Sequence, residues 1–197
     1  RPFKKYISSV FGDKKIKILD YGCSWGYNVY KLANLGYHIK GLELSVPRAK
    51  FGEKKLGIKI FNNWDSIEEN HDLIISDHVI EHLIDISTTI KKVKQSLNKD
   101  GIFMSFCPNG NNEYRKREPK VWHGSWGDIH VNSIDYKFAK HVFNENPFLI
   151  LSGDWIFNFN EIKDWDGVSQ KVGIKKDGKE LLIISKPNIK IHELPRS

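Results

Sequence analysis

The residues with the clearest chemical potential lie in three short stretches. The first is Lys17-Ile18-Leu19-Asp20-Tyr21-Gly22-Cys23-Ser24-Trp25-Gly26. An apolar run ends on an acidic residue, passes a loop bracketed by Gly22 and Gly26, and enters a helical pattern. Such a strand–loop–helix unit presents backbone N–H groups to a nucleotide-like ligand, and glycine allows a sharp turn and close approach to it. A dinucleotide fingerprint would want glycine-like residues at 22, 24 and 27, but position 27 is Tyr. The second stretch closes on Glu43-Leu44, where a carboxylate can accept hydrogen bonds from both hydroxyls of a ribose. The third is Asp77-His78-Val79-Ile80-Glu81-His82. On a helix His78, Glu81 and His82 share one face, a geometry that suits a divalent cation, with His130 as a fourth donor.

Gly22-Cys23-Ser24-Trp25-Gly26 also reads literally as G-x-S-x-G, the nucleophile elbow of hydrolases. Three features weigh against it. The elbow would sit on the first strand with little chain before it, an acidic residue closes the next strand, and no Asp-then-His pair follows at clean strand ends. Ser24 is therefore read as a backbone contact.

These residues must be positioned by a larger frame. The chain has 197 residues, 40% of them hydrophobic, long enough for one domain with a sizeable core over 1–197. No apolar run approaches the ~20 residues of a membrane span, and no signal peptide pattern is present. Two cysteines, Cys23 and Cys107, do not make a disulfide framework, and a reducing cytoplasm is the expected setting. The net charge of +7 favours acidic partners only mildly. The start at Arg1 suggests a piece of something longer.

Strand and helix patterns alternate, which predicts a parallel sheet covered by helices. A leading helix is expected over 1–12, strands over 15–21, 37–42, 58–61, 72–76 and 102–107, and helices over 26–35 and from Ser45 to Gly57. Leu83, Ile86, Ile90, Val93 and Leu97 alternate by three and four and predict a helix over 80–97. The stretch 108–131 reads as a long loop, and 133–146 as a helix. Two late strands over 149–157 and 179–186, separated by a hydrophilic excursion, predict an antiparallel hairpin. Residues 187–197 read as a loose tail.

Taken together, the Asp two residues before Gly22, Glu43, and the Glu81-His82-Leu83 segment after the fourth strand resemble class I S-adenosylmethionine (SAM)-dependent methyltransferases. The resemblance covers roughly residues 15–107; Ser24 departs from it, since the family often has Gly there. It implies an α/β Rossmann-like, doubly wound, mostly parallel seven-stranded sheet with an antiparallel C-terminal strand. It implies SAM as cofactor, held by Asp20, Gly22, Cys23, Ser24, Trp25, Gly26, Glu43, Leu44, Asp77 and His78. It also implies that the corner Asn62-Asn63-Trp64-Asp65 meets the adenine, Trp64 covering the ring and Asp65 accepting from its amine; the alternative is Trp64 in the core and Asp65 as a cap.

The third stretch is also similar to small-RNA 3′-terminal 2′-O-methyltransferases, whose metal site uses two glutamates, a histidine and a later histidine. Here His78 stands at the first position, which speaks against Mg²⁺ because magnesium prefers oxygen ligands. No metal is expected; the alternative ligand set is His78, Glu81, His82 and His130.

The stretch 113–130 lies at the carboxyl edge of the sheet and carries Arg115, Lys116, Arg117, Lys120, Trp122, His123, Trp126, Asp128 and His130. Cations suit a phosphate or carboxylate, and indole faces suit a sugar or base. The expected acceptor is a small polar, anionic molecule such as a sugar, nucleotide-sugar or phosphate-bearing metabolite. A hydroxyl acceptor needs its proton removed, and His130, then His82 and His123, are the candidate bases. RNA is the second acceptor reading, and a non-catalytic SAM-binding module the non-enzyme one. The sequence leaves the oligomeric state open.

Overall fold

The computed structural model describes residues 1–127 and 129–191. Asp128 and the end of the tail, 192–197, lie outside the described residues.

The first half alternates as the sequence predicts. Helix α1 (Phe3–Phe11) leads into β1 (Lys17–Tyr21), α2 (Tyr27–Asn34), β2 (His38–Leu42), α3 (Val46–Phe51), β3 (Ile60–Phe61) and β4 (His71–Asp77). A π-helical turn over Gly52–Leu56 extends α3, and Gly57, at φ +67°, ends it. Helix α4 (Ile86–Gln95) and β5 (Leu97–Pro108) follow.

Helix α4 is shorter than the 80–97 pattern predicts. The Asp85 carboxylate accepts the Thr88 N–H at 2.9 Å and starts the helix there. The preceding Ile80–His82 forms a single 3₁₀ turn, and Leu97 already belongs to β5. His78 lies outside both, with φ at +55°. His78, Glu81 and His82 therefore do not share a helix face.

The 108–131 stretch is not a plain loop. It contains α5 (Asn112–Arg117), capped by Asn111, and α6 (Pro119–Gly124), which begins on a proline. The 133–146 pattern shortens to α7 (Tyr136–Val142), capped by Asp135. The two late strands are β6 (Phe148–Gly153) and β8 (Glu180–Ser185). They pair antiparallel, but the excursion between them holds α8 (Phe159–Lys163) and a short edge strand, β7 (Gln170–Val172). The start of the tail is not loose: Asn188 Nδ2 donates to the Lys94 carbonyl at 2.9 Å, and the Ile191 N–H to Glu145.

The sheet order is β3-β2-β1-β4-β5-β8-β6-β7, with β8 antiparallel to both neighbours and every other pairing parallel. Residues alternate between two buried faces, as strands covered on both sides require. Ile18, Ile75, Met104 and Leu182 meet Tyr6, Ile7, Val29 and Leu32 on one face. Leu19, Ile74, Phe103 and Ile183 meet Ile90, Val93, Ala139 and Phe143 on the other. Strand order reverses between β1 and β4, and ligands of open α/β sheets bind outside the carboxyl ends of the strands at such a point.

Candidate functional site at the carboxyl edge of the sheet

A cleft of about 440 Å³ opens at that reversal. Tyr21 lines it from the end of β1 and Gly22 from the loop that follows, Glu43 and Leu44 from the turn after β2, Asp77 from the end of β4, and His78, Val79 and His82 from the chain after β4. A larger cavity of about 650 Å³ lies at the opposite edge, around Ile16, Asp72 and Ile102, away from these residues.

Glu43 organises the near wall. Its two oxygens accept the Ser24 N–H at 2.9 Å and the Ser45 N–H at 2.8 Å. It thus ties the β1–α2 loop to the start of α3, and each oxygen keeps a second lone pair. Ser45 stands at the cap position of α3, as expected, but makes no side-chain cap bond.

The glycines make the sharp turn expected of them and also admit neighbouring side chains. A Cβ on Gly22 would lie 2.3 Å from Val79 Cγ2, and one on Gly26 would lie 2.4 Å from Ile58 Cδ1. Both also adopt positive φ. The missing side chains make room for protein, which lets the loop sink between β4 and β3. Cys23 is buried in the core, its Sγ against Gly41, and burial pushes its thiol far up. Ser24 holds φ +52° and offers its N–H to Glu43. Among the described residues its hydroxyl bonds no histidine, so nothing supports the elbow reading.

Asp20 is buried beneath this loop, and its Oδ2 has no partner among the described residues. Burial, then the charges of Asp77 and Glu43, raise its carboxyl to about 7. Trp25 is exposed, packs edge-on against Phe51, and lies under the guanidinium of Arg48, which lines the cleft. Trp64 packs on Tyr21 at 4.9 Å, behind the cleft wall, and Asp65 is exposed. Both lie outside the lining residues.

The far wall holds an ion network that the sequence does not announce. Arg1 Nε donates to Asp77 at 2.6 Å, and its terminal nitrogens donate to Glu180 at 2.7 and 2.8 Å. His78 Nε2 meets Glu180 at 2.7 Å, and its Nδ1 approaches Glu81 at 3.1 Å. Burial disfavours the imidazolium, but the hydrogen bonds and charges of Glu180 and Glu81 outweigh it and raise His78 to about 9. Burial likewise works against the Glu180 carboxylate, and bonding to His78 and Arg1 prevails, holding it below its usual range. Only the single charged residue opening the apolar run of β8 could have signalled Glu180; nothing local signals Arg1.

Beyond His78, three further candidates converge. Glu81, His82 and His130 each bring a ligand-type atom within 4.8 Å of the others. Glu81 is 0% exposed, and its carboxylate is paired with the His78 imidazolium, whose Nδ1 lies 3.1 Å from Oε1. The His82 and His130 rings lie 4.6 Å apart, and Trp126 stands 5.9 Å from His130. His78 meets Glu81 through Nδ1 and Glu180 through Nε2, so of the alternative set His78, Glu81, His82 and His130 the last three converge. His123 is exposed on α6 against Trp122, outside the group. Of the loop cations, Arg117 is bound by Asp154, Asp177 and Glu118, and Arg115 lies over Trp122. The indole N–H groups of Trp122 and Trp126 are buried and have no partner among the described residues.

Among the described residues no helix is long and apolar enough to cross a membrane. A ubiquinone biosynthesis O-methyltransferase of Pelagibacter ubique is 34% identical over 97 residues, 45% of this chain and 40% of that protein. The chain thus spans less than half the length of that relative. A putative type 11 methyltransferase from Sulfolobus solfataricus superposes with a TM-score of 0.62 at 19% identity, covering 100% of this chain and 96% of that one. A SAM-dependent methyltransferase from Archaeoglobus fulgidus gives 0.61 at 15% identity, over 93% and 90%. These structures share the fold, and the model of the methyltransferase domain family matches residues 2–151. The reversal point, the acid-clamped loop and the matched family model agree: the chain belongs to the methyltransferase domain family, whose cofactor is SAM.

Proposed function

We propose that this chain methylates a hydroxyl oxygen of a small polar molecule, using SAM as donor. The observation that carries the reading is the pair of imidazoles His82 and His130, their rings 4.6 Å apart beside the buried Glu81, with His82 lining the cleft.

The cleft residues fit the cofactor. Glu43 retains lone pairs for the ribose hydroxyls, and Leu44 beside it lines the same wall. Asp20, whose buried Oδ2 lacks a partner among the described residues, is a carboxyl whose ionised form a bound cation would favour. When bound, the cofactor supplies an electrophilic methyl group: the new O–C bond forms as the C–S bond breaks, and its electron pair goes to sulfur.

The chain's own residues do the rest. Trp122 and Trp126 offer indole N–H donors to an acceptor's oxygens. Nδ1 of His82 faces the Ile129 carbonyl at 2.8 Å, and that of His130 faces the Ser125 carbonyl. A carbonyl only accepts, so in the neutral rings both Nδ1 atoms carry protons and both Nε2 atoms are basic. The acceptor hydroxyl passes its proton to Nε2 of His130, with His82 as its neighbour. An amine would fare worse here, because the Glu81 carboxylate would favour its protonated, non-nucleophilic form. The relative named for O-methylation supports the same choice. Lys116 and Lys120, exposed on α5 and α6, favour an anionic acceptor.

The test is transfer of isotopically labelled methyl from SAM to a panel of small hydroxy acids, phosphorylated sugars, matched amines and a short RNA. The expected product is a methyl ether, lost in His130→Ala while S-adenosylhomocysteine affinity is kept. Label on the amines or the RNA alone would overturn the reading.

A further inference from the structure

The cavity of about 650 Å³ at the amino edge of the parallel strands takes no part in the chemistry described above. It is lined from the end of α1, the chain before β1, the starts of β4 and β5, the end of α8 and the residue after β8. Strand β8 reaches this edge with its carboxyl end because it runs antiparallel to its neighbours. Ile16, Ile102 and Ile162 are buried there, and Phe11 and Trp165 pack half-buried on the same core. The Trp165 N–H is taken by the Ser169 carbonyl at 3.1 Å, so the indole offers its ring rather than a donor. Four separate segments bring five lysines to the same cavity: Lys14 and Lys15, Lys99, Lys163 and Lys186. Among the described residues none of these five pairs with a carboxylate, whereas nearby Lys17 pairs with Glu69. Three acids share the lining, and two already hold other donors. Asp72 accepts the Lys17 backbone N–H at 2.8 Å and Asn98 Nδ2 at 2.7 Å, and Asp166 accepts from Val168 and Ser169 in its own turn. Asp100 is the third, so the surplus charge of the lining is positive. Lys186 lies over Gly167, where a Cβ would come within 2.9 Å of its Nζ; the missing side chain leaves room for the ammonium.

We propose that this cavity is a second ligand site, for a small organic anion whose apolar or aromatic body rests on Phe11, Ile16 and Trp165 while its carboxylate, phosphate or sulfonate lies among the lysines. The volume falls in the range of small-molecule sites, about 300–1,000 Å³, and such sites combine an apolar lining with a few polar groups that fix orientation. Ammonium groups act as point charges and accept any of these anions, so the class is set by charge and an apolar body. A nucleic-acid strand would call for a groove with ring faces open to successive bases; here the rings are half-buried at the floor. The cavity and the cofactor cleft share no lining residue, so the two ligands bind together without competing. Strand β4 runs from one to the other, with Asp72 at the cavity and Asp77 at the cleft. The inference is independent of the acceptor reading.

The experiment is fluorescence and calorimetric titration of the chain with anilinonaphthalene sulfonate, an aromatic anion, with and without saturating S-adenosylhomocysteine. Stoichiometric binding is expected, equal in both conditions. It should weaken about tenfold or more in the double variant Lys99→Glu with Lys163→Glu, which reverses two exposed charges of the rim. Lys137→Glu with Lys140→Glu, exposed on α7, makes the same change of net charge and should leave affinity unchanged. Phenylnaphthylamine, with the same rings and no sulfonate, should bind at least tenfold more weakly. Titration with S-adenosylhomocysteine checks that each variant keeps its fold; if a variant does not, the neutral analogue decides. Absence of binding, displacement by S-adenosylhomocysteine, equal affinity for the neutral analogue, or equal loss in both double variants would overturn the proposal. Displacement of the probe by a short RNA would overturn it too, in favour of a nucleic-acid surface.

Discussion

Replacing Gly22 with alanine tests how the loop at the cleft is held. Two separate costs can be worked from its geometry. Gly22 has φ +75°, and an L-residue there costs about 1–2 kcal/mol. The added Cβ would also lie 2.3, 3.1 and 3.3 Å from Val79 Cγ2, Cγ1 and Cβ. Rotating Val79 cannot clear all three, so the backbone must give, and such overpacking costs about 1–3 kcal/mol. Gly22→Ala should therefore lose roughly 2–5 kcal/mol. Val79→Ala removes both γ-carbons and leaves a single tight contact. In the double variant the clash should vanish and the strain remain, giving a favourable coupling of about 1–3 kcal/mol. Urea unfolding of the four chains, with m-values checked for equality, measures the cycle. A cost of Gly22→Ala below about 0.5 kcal/mol, or no rescue by Val79→Ala, would refute the argument that the glycine is there to admit Val79.

Three further outcomes are expected. Glu43→Ala removes the acceptor of two backbone N–H groups, each charge-assisted bond being worth about 1.5–3 kcal/mol, so S-adenosylhomocysteine affinity should fall at least tenfold by calorimetry; unchanged affinity would show that the clamp does not shape the site. Asp20 holds its proton to about 7 when folded, against an ordinary value of 3.8. Its contribution is therefore fully present below 3.8 and lost as pH rises through about 7. Asp20→Asn should flatten the stability of the cofactor-free chain across that window, and a slope identical to the parent's in urea midpoints would contradict it. Arg117→Ala should cost less than about 1 kcal/mol, and less still in 1 M salt, because its partners Asp154, Asp177 and Glu118 are solvent-reached; a larger, salt-independent loss by thermal melting would count against a surface role.

The legible parts of the fold were those where a local pattern and its burial agree. The apolar runs of β1, β4 and β5 read as strands because both faces of the sheet are covered. Gly36 and Gly57 marked helix ends because a positive φ there is cheap only for glycine. The misreading at 80–97 has a local cause: Leu83 fits the helical spacing, yet Asp85 offers a better start, and capping outweighs one apolar match. Helices α5 and α6 were missed because each is six residues long, too short to show a period.

At the site, the sequence by itself determined the loop, the acid after β2 and the cluster of titratable residues after β4, because each is a contiguous motif with its own backbone chemistry. Tertiary structure alone decided their company. It turned His78 to Glu180, a separation of 102 positions that no local pattern encodes, and Glu81 inward. It set Trp25 on the outer surface and Trp64 behind Tyr21. It also brought His130 beside His82 across 48 positions, joined through the carbonyl of Ile129. Spacing along a chain fixes which side chains can share an element; only the packed sheet fixes which elements meet at its edge.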